Sequence, residues 1–330
     1  MDYLTQLQRL NACHGPSGDE GEVAAFLQEC AKPYADACYI DTMGNLIVRK
    51  KGTGPKILFA AHMDSIGLIV TYIEESGYLR VGKIGGVHLG SILHSAVRFR
   101  NGTFGVVSLS EDVEEKNMRI HDLYLDIGAG SREEAEKRVQ VGDTAVSSAA
   151  VLPVGERVAG PYMDNRISCL VLLEALSRIS EAKNDLYFVF TTQEEVGLRG
   201  AKTASFGIEP DYGIAVDVTL GDALNSKHRG SSVLGGGAAI KVMDGSVISH
   251  PQMVERLVSL AQAQNISHQR DVISAGGTDV GAIHVSRSGV ITGGISVPCR
   301  YIHSPVELVD LNDVEACVQL VVATAQAQFN

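Results

Sequence analysis

Four short runs that are apolar almost throughout constrain this chain more than any other feature. Lys56-Ile57-Leu58-Phe59-Ala60-Ala61 follows Gly54-Pro55, and Leu186 to Thr191, Gly213 to Val218 and Val290 to Ile295 have the same character. A strand with one face in water alternates apolar and polar residues, whereas a strand covered on both faces stays apolar. These runs therefore predict buried parallel strands. The segment from about Ile167 to Ile179 puts Ile167, Leu170, Leu173 and Leu176 on one stripe, the spacing of a helix against a core. Ser17-x-x-Glu20 reads as a capping box opening a helix through Phe26 and Leu27. Asn312-x-x-Glu315 starts a last helix through Val318 and Val321. Strands alternating with helices make an α/β fold: a mainly parallel sheet with helices on both faces.

The stretch from about Ile69 to Ala159 differs. It is rich in Gly and Val, and its strands alternate. Val97-x-Phe99-x-Asn101-Gly102-x-Phe104-x-Val106 predicts a hairpin with a type I′ turn at Asn101-Gly102. A β-rich unit inside an α/β chain predicts an insertion: residues 69–159 as the small unit, 1–68 and 160–330 as the larger one.

Composition narrows the class. Apolar residues make up 45% of the 330 and charged ones 20%, enough for a sizeable core in a soluble globular protein. No apolar run approaches the roughly 18 residues of a membrane helix, and the N-terminus does not resemble a secretory signal. The six cysteines (Cys13, Cys30, Cys38, Cys169, Cys299, Cys317) form no Cys-x-x-Cys pair, which fits reduced thiols in the cytoplasm. A net charge of -11 argues against a nucleic-acid partner.

The ends of the strands carry the chemistry. His62-Met63-Asp64 follows the first run, and alternation turns His62 and Asp64 the same way. Asp164-Asn165-Arg166 precedes the Ile167 helix, Glu194-Glu195 follows the second run, Asp217 lies near the end of the third, and His303 lies beyond the fourth. Ligands of open α/β sheets collect at the carboxyl ends of strands. Imidazole with carboxylate is the usual zinc set where thiolates are absent, and cobalt or manganese accept the same donors. Two ions about 3.5–4 Å apart need more than three protein ligands and usually a bridging carboxylate. Two histidines and three carboxylates supply that set, leaving one of Glu194 and Glu195 as a base and Asp64 to orient His62. Taken singly, His-x-Asp is most often a hydrogen-bonded pair and Asp164 could merely cap the next helix. The ordered set is what carries weight. His88, His94, His121 and His284 lack such settings and read as structural.

That set resembles the tetrahedral, glutamyl-aminopeptidase-like metallopeptidases over nearly the whole chain. The matching segments include Gly15-Pro16-Ser17-Gly18-Asp19-Glu20, Asp41-Thr42-Met43-Gly44-Asn45-Leu46, Ala61-His62-Met63-Asp64, Asp164-Asn165-Arg166 and Thr192-Gln193-Glu194-Glu195-Val196-Gly197. Val216-Asp217-Val218-Thr219, Gly276-Gly277-Thr278-Asp279 and Arg300-Tyr301-Ile302-His303-Ser304-Pro305 complete them. The resemblance implies a catalytic domain interrupted by a PDZ-like domain. It also implies two divalent metals per subunit, one on His62 and Asp217 and the other on Glu195 and His303, with Asp164 bridging. Glu194 would be the general base and Asp64 would support His62. It further implies release of N-terminal residues from short peptides, and homo-oligomers, commonly tetrahedral dodecamers. One position departs: Ser65 stands where the family usually has Glu. Rival readings are another metal-dependent amidohydrolase (a deacetylase or dipeptidase), a glycosidase, or a non-catalytic assembly protein. The preferred N-terminal residue is left open.

Overall fold

The computed structural model describes residues 2–222 and 231–329. Among them, eleven strands form one sheet. At its centre lie Asp185–Thr191, Lys56–His62, Tyr212–Leu220 and Ile291–Arg300, in that order and mutually parallel. These are the four apolar runs. The sheet as a whole is mixed rather than mainly parallel. Ala37–Ile40 and Leu46–Lys50 add antiparallel on one side; Glu307–Asp310, Arg157–Gly160 and Leu152–Val154 do so on the other. Several of the flanking strands are joined by short turns, which can only reverse the chain, whereas parallel neighbours need a long crossover.

Alternation along the central strands sends side chains to two helical layers. Ile57, Phe59, Ala61, Phe188, Phe190, Ile214 and Val216 join the large core with residues of the helices Tyr3–Ala12, Gly21–Ala31, Met163–Arg178, Pro251–Ala263 and Leu311–Gln326. Leu58, Ala60, Tyr187 and Val189 meet Ala201, Ala204 and Ile208 of the helix Arg199–Ile208 and Ala282 and Ile283 on the opposite face. Helices thus cover both faces, and that double burial is why these strands carry no polar alternation.

Between Lys56–His62 and the Met163 helix the chain builds a closed six-stranded barrel, in the order Gly67–Ile73, Leu79–Ile84, Leu123–Asp126, Phe104–Leu109, Ala96–Phe99, Thr144–Ser147. Leu68, Val70, Phe99, Val107 and Leu125 fill its separate core. The strands Leu152–Val154 and Arg157–Gly160 leave the barrel and pair with the large sheet. The expected hairpin forms, but not with a type I′ turn. Only Gly102 has positive φ (86°), and its N–H donates to the Phe99 carbonyl at 3.0 Å while Phe99 N–H donates to Thr103 at 2.9 Å. Asn101 instead pins its side chain to Thr103 N–H and the Arg138 carbonyl.

Two predicted caps are also replaced. The helix Gly21–Ala31 has no side-chain cap; Ser17 and Glu20 are diverted to the loops described below. Asp310, not Asn312, caps the last helix by accepting the Asn312 N–H. No helix among the described residues is long and apolar enough to cross a membrane.

Candidate active site

Strand register brings the distant residues together. Lys56–His62 runs parallel to Asp185–Thr191 with His62 level with Thr191, so Glu194 and Glu195 emerge just beyond it. Ala60 pairs with Ala215, so two residues further on His62 and Asp217 stand level and, by the same alternation, on one face. The Met163 helix adds Asp164, whose φ/ψ and those of Asn165 are non-helical, so the acid turns out of the helix start instead of capping it. His303 follows the fourth strand, in the left-handed region at φ 63°.

Asp164 sits in the middle. Its Oδ1 is 2.9 Å from His62 Nε2 and its Oδ2 is 3.3 Å from His303 Nε2. Around His62 lie Asp217 Oδ1 at 3.8 Å and Glu194 Oε2 at 3.9 Å. Around His303 lies Glu195 Oε2 at 3.3 Å, while Glu195 Oε1 is buried with no partner. Two groups of donor atoms each close enough to surround one ion result: His62, Asp164 and Asp217, and Asp164, Glu195 and His303. All seven residues singled out by sequence, Asp64 and Glu194 included, belong to this neighbourhood. His88, His94, His121 and His284 belong to neither group.

The electrostatics are those of a site built around positive charge. Burial pushes the Glu194 and Asp217 carboxyls well above their usual range, and neighbouring carboxylates add to it. Burial opposes the charged form of His303, but hydrogen bonding to Asp164 and Glu195 outweighs it and raises the imidazole to about 11. His62 moves the same way, as Glu194, Asp164 and Asp64 overcome its desolvation. Asp164 goes down: burial alone would raise it, yet two imidazoles donate to it. Four acids against two imidazoles, all oxygen and nitrogen donors with no thiolate, suit hard or borderline divalent cations, which would hold these acids ionised.

A second ring of residues fixes the first. Asp64 accepts the Glu194 N–H at 3.0 Å, the Glu195 N–H at 3.2 Å and the Ser17 hydroxyl at 2.6 Å. Its carbonyl lies 3.1 Å from His62 Nδ1. Glu20 accepts the N–H groups of Gly18 and Gln193. The apparent capping box thus ties the 15–20 loop to the Glu194 loop. Ser65 is fully buried and donates its hydroxyl to the Gly15 carbonyl, and the segments pair at Pro16 and Ser65.

Sequence reasoning missed two supports. Glu307, which opens a short strand and is 2% exposed, accepts the backbone N–H of Asp164 at 2.9 Å and of His303 at 2.7 Å. An acid leading into the apolar Leu308-Val309 is the signal it left. Gly85-Gly86, at the end of a barrel strand, reaches the site: the Gly86 carbonyl lies 3.0 Å from His303 Nδ1. A Cβ on Gly86 would stand 2.7 Å from that nitrogen.

The family model for M42 glutamyl aminopeptidase matches residues 44–320. The chain belongs to that family. It is a hydrolase of peptide bonds, in a family whose chemistry uses divalent metal. Aminopeptidase APDkam598 from the archaeon Desulfurococcus kamchatkensis superposes with a TM-score of 0.95 at 41% identity, over 98% of this chain and 94% of that one. The Pyrococcus horikoshii TET1 peptidase, described as able to assemble into a tetrahedron or a large octahedral shell, gives 0.90 at 32% identity over 99% and 100%. Lysyl aminopeptidase of Pyrococcus furiosus is 38% identical over 88% of this chain and 86% of its own.

Proposed function

We infer that the protein is a two-metal aminopeptidase that removes N-terminal residues from short peptides. The observation that carries this is Asp164, whose two oxygens each face a different histidine and which belongs to both donor groups. In this reading His62 and Asp217 would hold one divalent ion and Glu195 and His303 the other, with Asp164 shared by both donor groups. Zinc is the favoured occupant, with cobalt and manganese accepted by the same donors. When bound, such a pair acidifies water towards a pKa of about 7 and polarises a carbonyl oxygen.

The chain's own residues do the rest. Glu194, a largely covered carboxylate with its Oε2 at 3.9 Å from His62 Nε2, takes the proton of the attacking water and returns it to the leaving amine. Asp64 holds the backbone of both glutamates and fixes the His62 ring, so base and donors keep one geometry. The same cluster of carboxylates receives the peptide's free amino terminus beside the ions, which restricts cleavage to the first residue. Replacing Glu194 by Gln should leave metal content intact and cut turnover by about 10²–10⁴-fold. Full turnover in a metal-replete variant would remove Glu194 from the role of base.

The division into a catalytic part and a PDZ-like insertion at 69–159 belongs to the same proposal. The strand ranges favour moving its borders to about Ile66 and Ser148. A homo-oligomer, like the tetrahedron or octahedral shell of the Pyrococcus horikoshii TET1 peptidase, is proposed on the likeness over the whole chain; scattering or sedimentation at working concentration tests for a dodecamer. Cytoplasmic residence is proposed on six free cysteines, three of them buried.

A further inference from the structure

One cavity opens on the whole cluster. Of about 470 Å³, it is lined by all six of His62, Asp164, Glu194, Glu195, Asp217 and His303. A second, between the cluster and the barrel, touches only Asp164, Glu195 and His303 of these and measures about 40 Å³, room for no more than a few waters. If the scissile bond lies at the cluster, the larger of these two cavities, as lined by the described residues, is the one with room for the side chain of the first residue.

Apart from the cluster, the lining is largely apolar. Leu198, Val218, Leu220, Ile273 and Ile302 contribute to it, with Gly276-Gly277. Its two threonine hydroxyls are already engaged. Thr219 Oγ1 donates to Asp271 at 2.7 Å and accepts from Lys241 at 2.9 Å, and Thr278 Oγ1 donates to Asp244 at 3.3 Å. Lys241 and Asp271 pair with each other, fully buried behind Thr219, and neither lines the cavity. Among the described residues lining it there is no Lys or Arg to meet a substrate carboxylate. Every acid among the described lining residues is a candidate metal ligand or the base, so none of these is left to pair with a substrate side-chain ammonium.

Resting on the aminopeptidase reading, we propose that this cavity selects peptides with a large apolar N-terminal residue, of the leucine, isoleucine or methionine class. An acidic or basic side chain entering it would lose its hydration with no partner in return. Alanine would leave the apolar lining uncovered, and each missing methylene in an apolar pocket costs roughly 10-fold or more.

The test is a panel of leucyl, methionyl, alanyl, glutamyl and lysyl anilides on the metal-loaded full chain. The expected kcat/KM for leucine exceeds those for alanine, glutamate and lysine by at least about tenfold. Glutamyl or lysyl substrate cleaved as well as leucyl overturns the proposal while leaving the aminopeptidase reading intact. No turnover on any member, with metal bound, overturns both. Ile273→Glu should lower leucyl kcat/KM at least about tenfold, mainly through KM, and raise lysyl cleavage above its original level. Leu220→Glu, on the half-exposed rim, gives the same readout if the first variant fails to fold. An unchanged panel in both places the N-terminal side chain elsewhere and overturns the proposal.

Discussion

Gly86→Ala is the sharpest way to ask whether the barrel takes part in the chemistry. Gly86 belongs to the loop after the barrel strand Leu79–Ile84, yet it touches His303, which follows a strand of the large sheet. An added Cβ would lie 2.7 Å from His303 Nδ1 and 2.8 Å from Cε1. Ordinary contact begins at 3.4 Å, so the ring must retreat by about 0.7 Å. Its Nε2 faces both Asp164 Oδ2 and Glu195 Oε2 at 3.3 Å, and a ring displaced that far loses joint reach to the two acids. The Gly86 carbonyl that orients Nδ1 is disturbed as well. Losing such an orienting contact lowers metal affinity by about 10–100-fold, and a displacement approaching 1 Å costs roughly 10²-fold in turnover. The expected outcome is weaker metal binding at the His303 side of the cluster than in the parent protein, and a fall in kcat of about 10²-fold at saturating metal. Gly86 does not have positive φ, so the backbone tolerates alanine and the melting temperature should stay within a few degrees. Chelator competition, calorimetric metal titration and peptide turnover measure all three. Unchanged metal affinity and kcat would mean that the loop yields instead of the ring, and would refute a role for the barrel in holding His303.

Further outcomes follow from other contacts. Ser17→Ala removes the 2.6 Å hydroxyl donor to Asp64 but keeps both glutamate N–H groups. Losing a partner that orients metal-site residues costs about 10–100-fold in activity, so turnover should fall at least about tenfold, and parental kcat would exclude Ser17 from positioning. Chelation should abolish peptidase turnover, and zinc, cobalt or manganese should restore it; full activity in metal-free protein would sink the two-metal proposal. Burial raises Asp313 from 3.8 to about 6, although Gly235 and Gly237 donate to it. The folded state therefore keeps a proton that the unfolded chain releases, so this group favours folding most below pH 3.8 and its contribution declines as pH rises to about 6. Relative to the parent, Asp313→Asn should gain roughly 3 kcal/mol across that window, whatever its offset from altered hydrogen bonds. Denaturation from pH 4 to 7 measures it, and parallel curves would refute the assignment.

Much of this was legible from local patterns. The four central strands are apolar because both faces are covered, and a short run reports that without its neighbours. His62, Glu194-Glu195 and Asp217 were recognisable because each is a polar residue at the end of such a run. The supports were not legible in the same way. Ser17 and Glu20 have the spacing of a capping box, and only their approach to Asp64 and Gln193 reveals the other use. Glu307 lies 143 positions from Asp164, and Gly86 lies 217 from His303.

From sequence alone it follows which segments must be buried strands, which residue types could bind divalent metal, and that all of these but Asp164 fall at or just beyond strand ends. Those properties are local: they depend on alternation, on spacing and on the donor atoms each side chain carries. Tertiary structure decided the rest. It set the register that levels His62 with Asp217, the turn that aims Asp164 at two histidines, and the mixed directions of the sheet edges. It also brought a barrel glycine against His303 and left a largely apolar lining beside the cluster. These depend on distances between residues tens to hundreds of positions apart, which close packing fixes and no local pattern encodes.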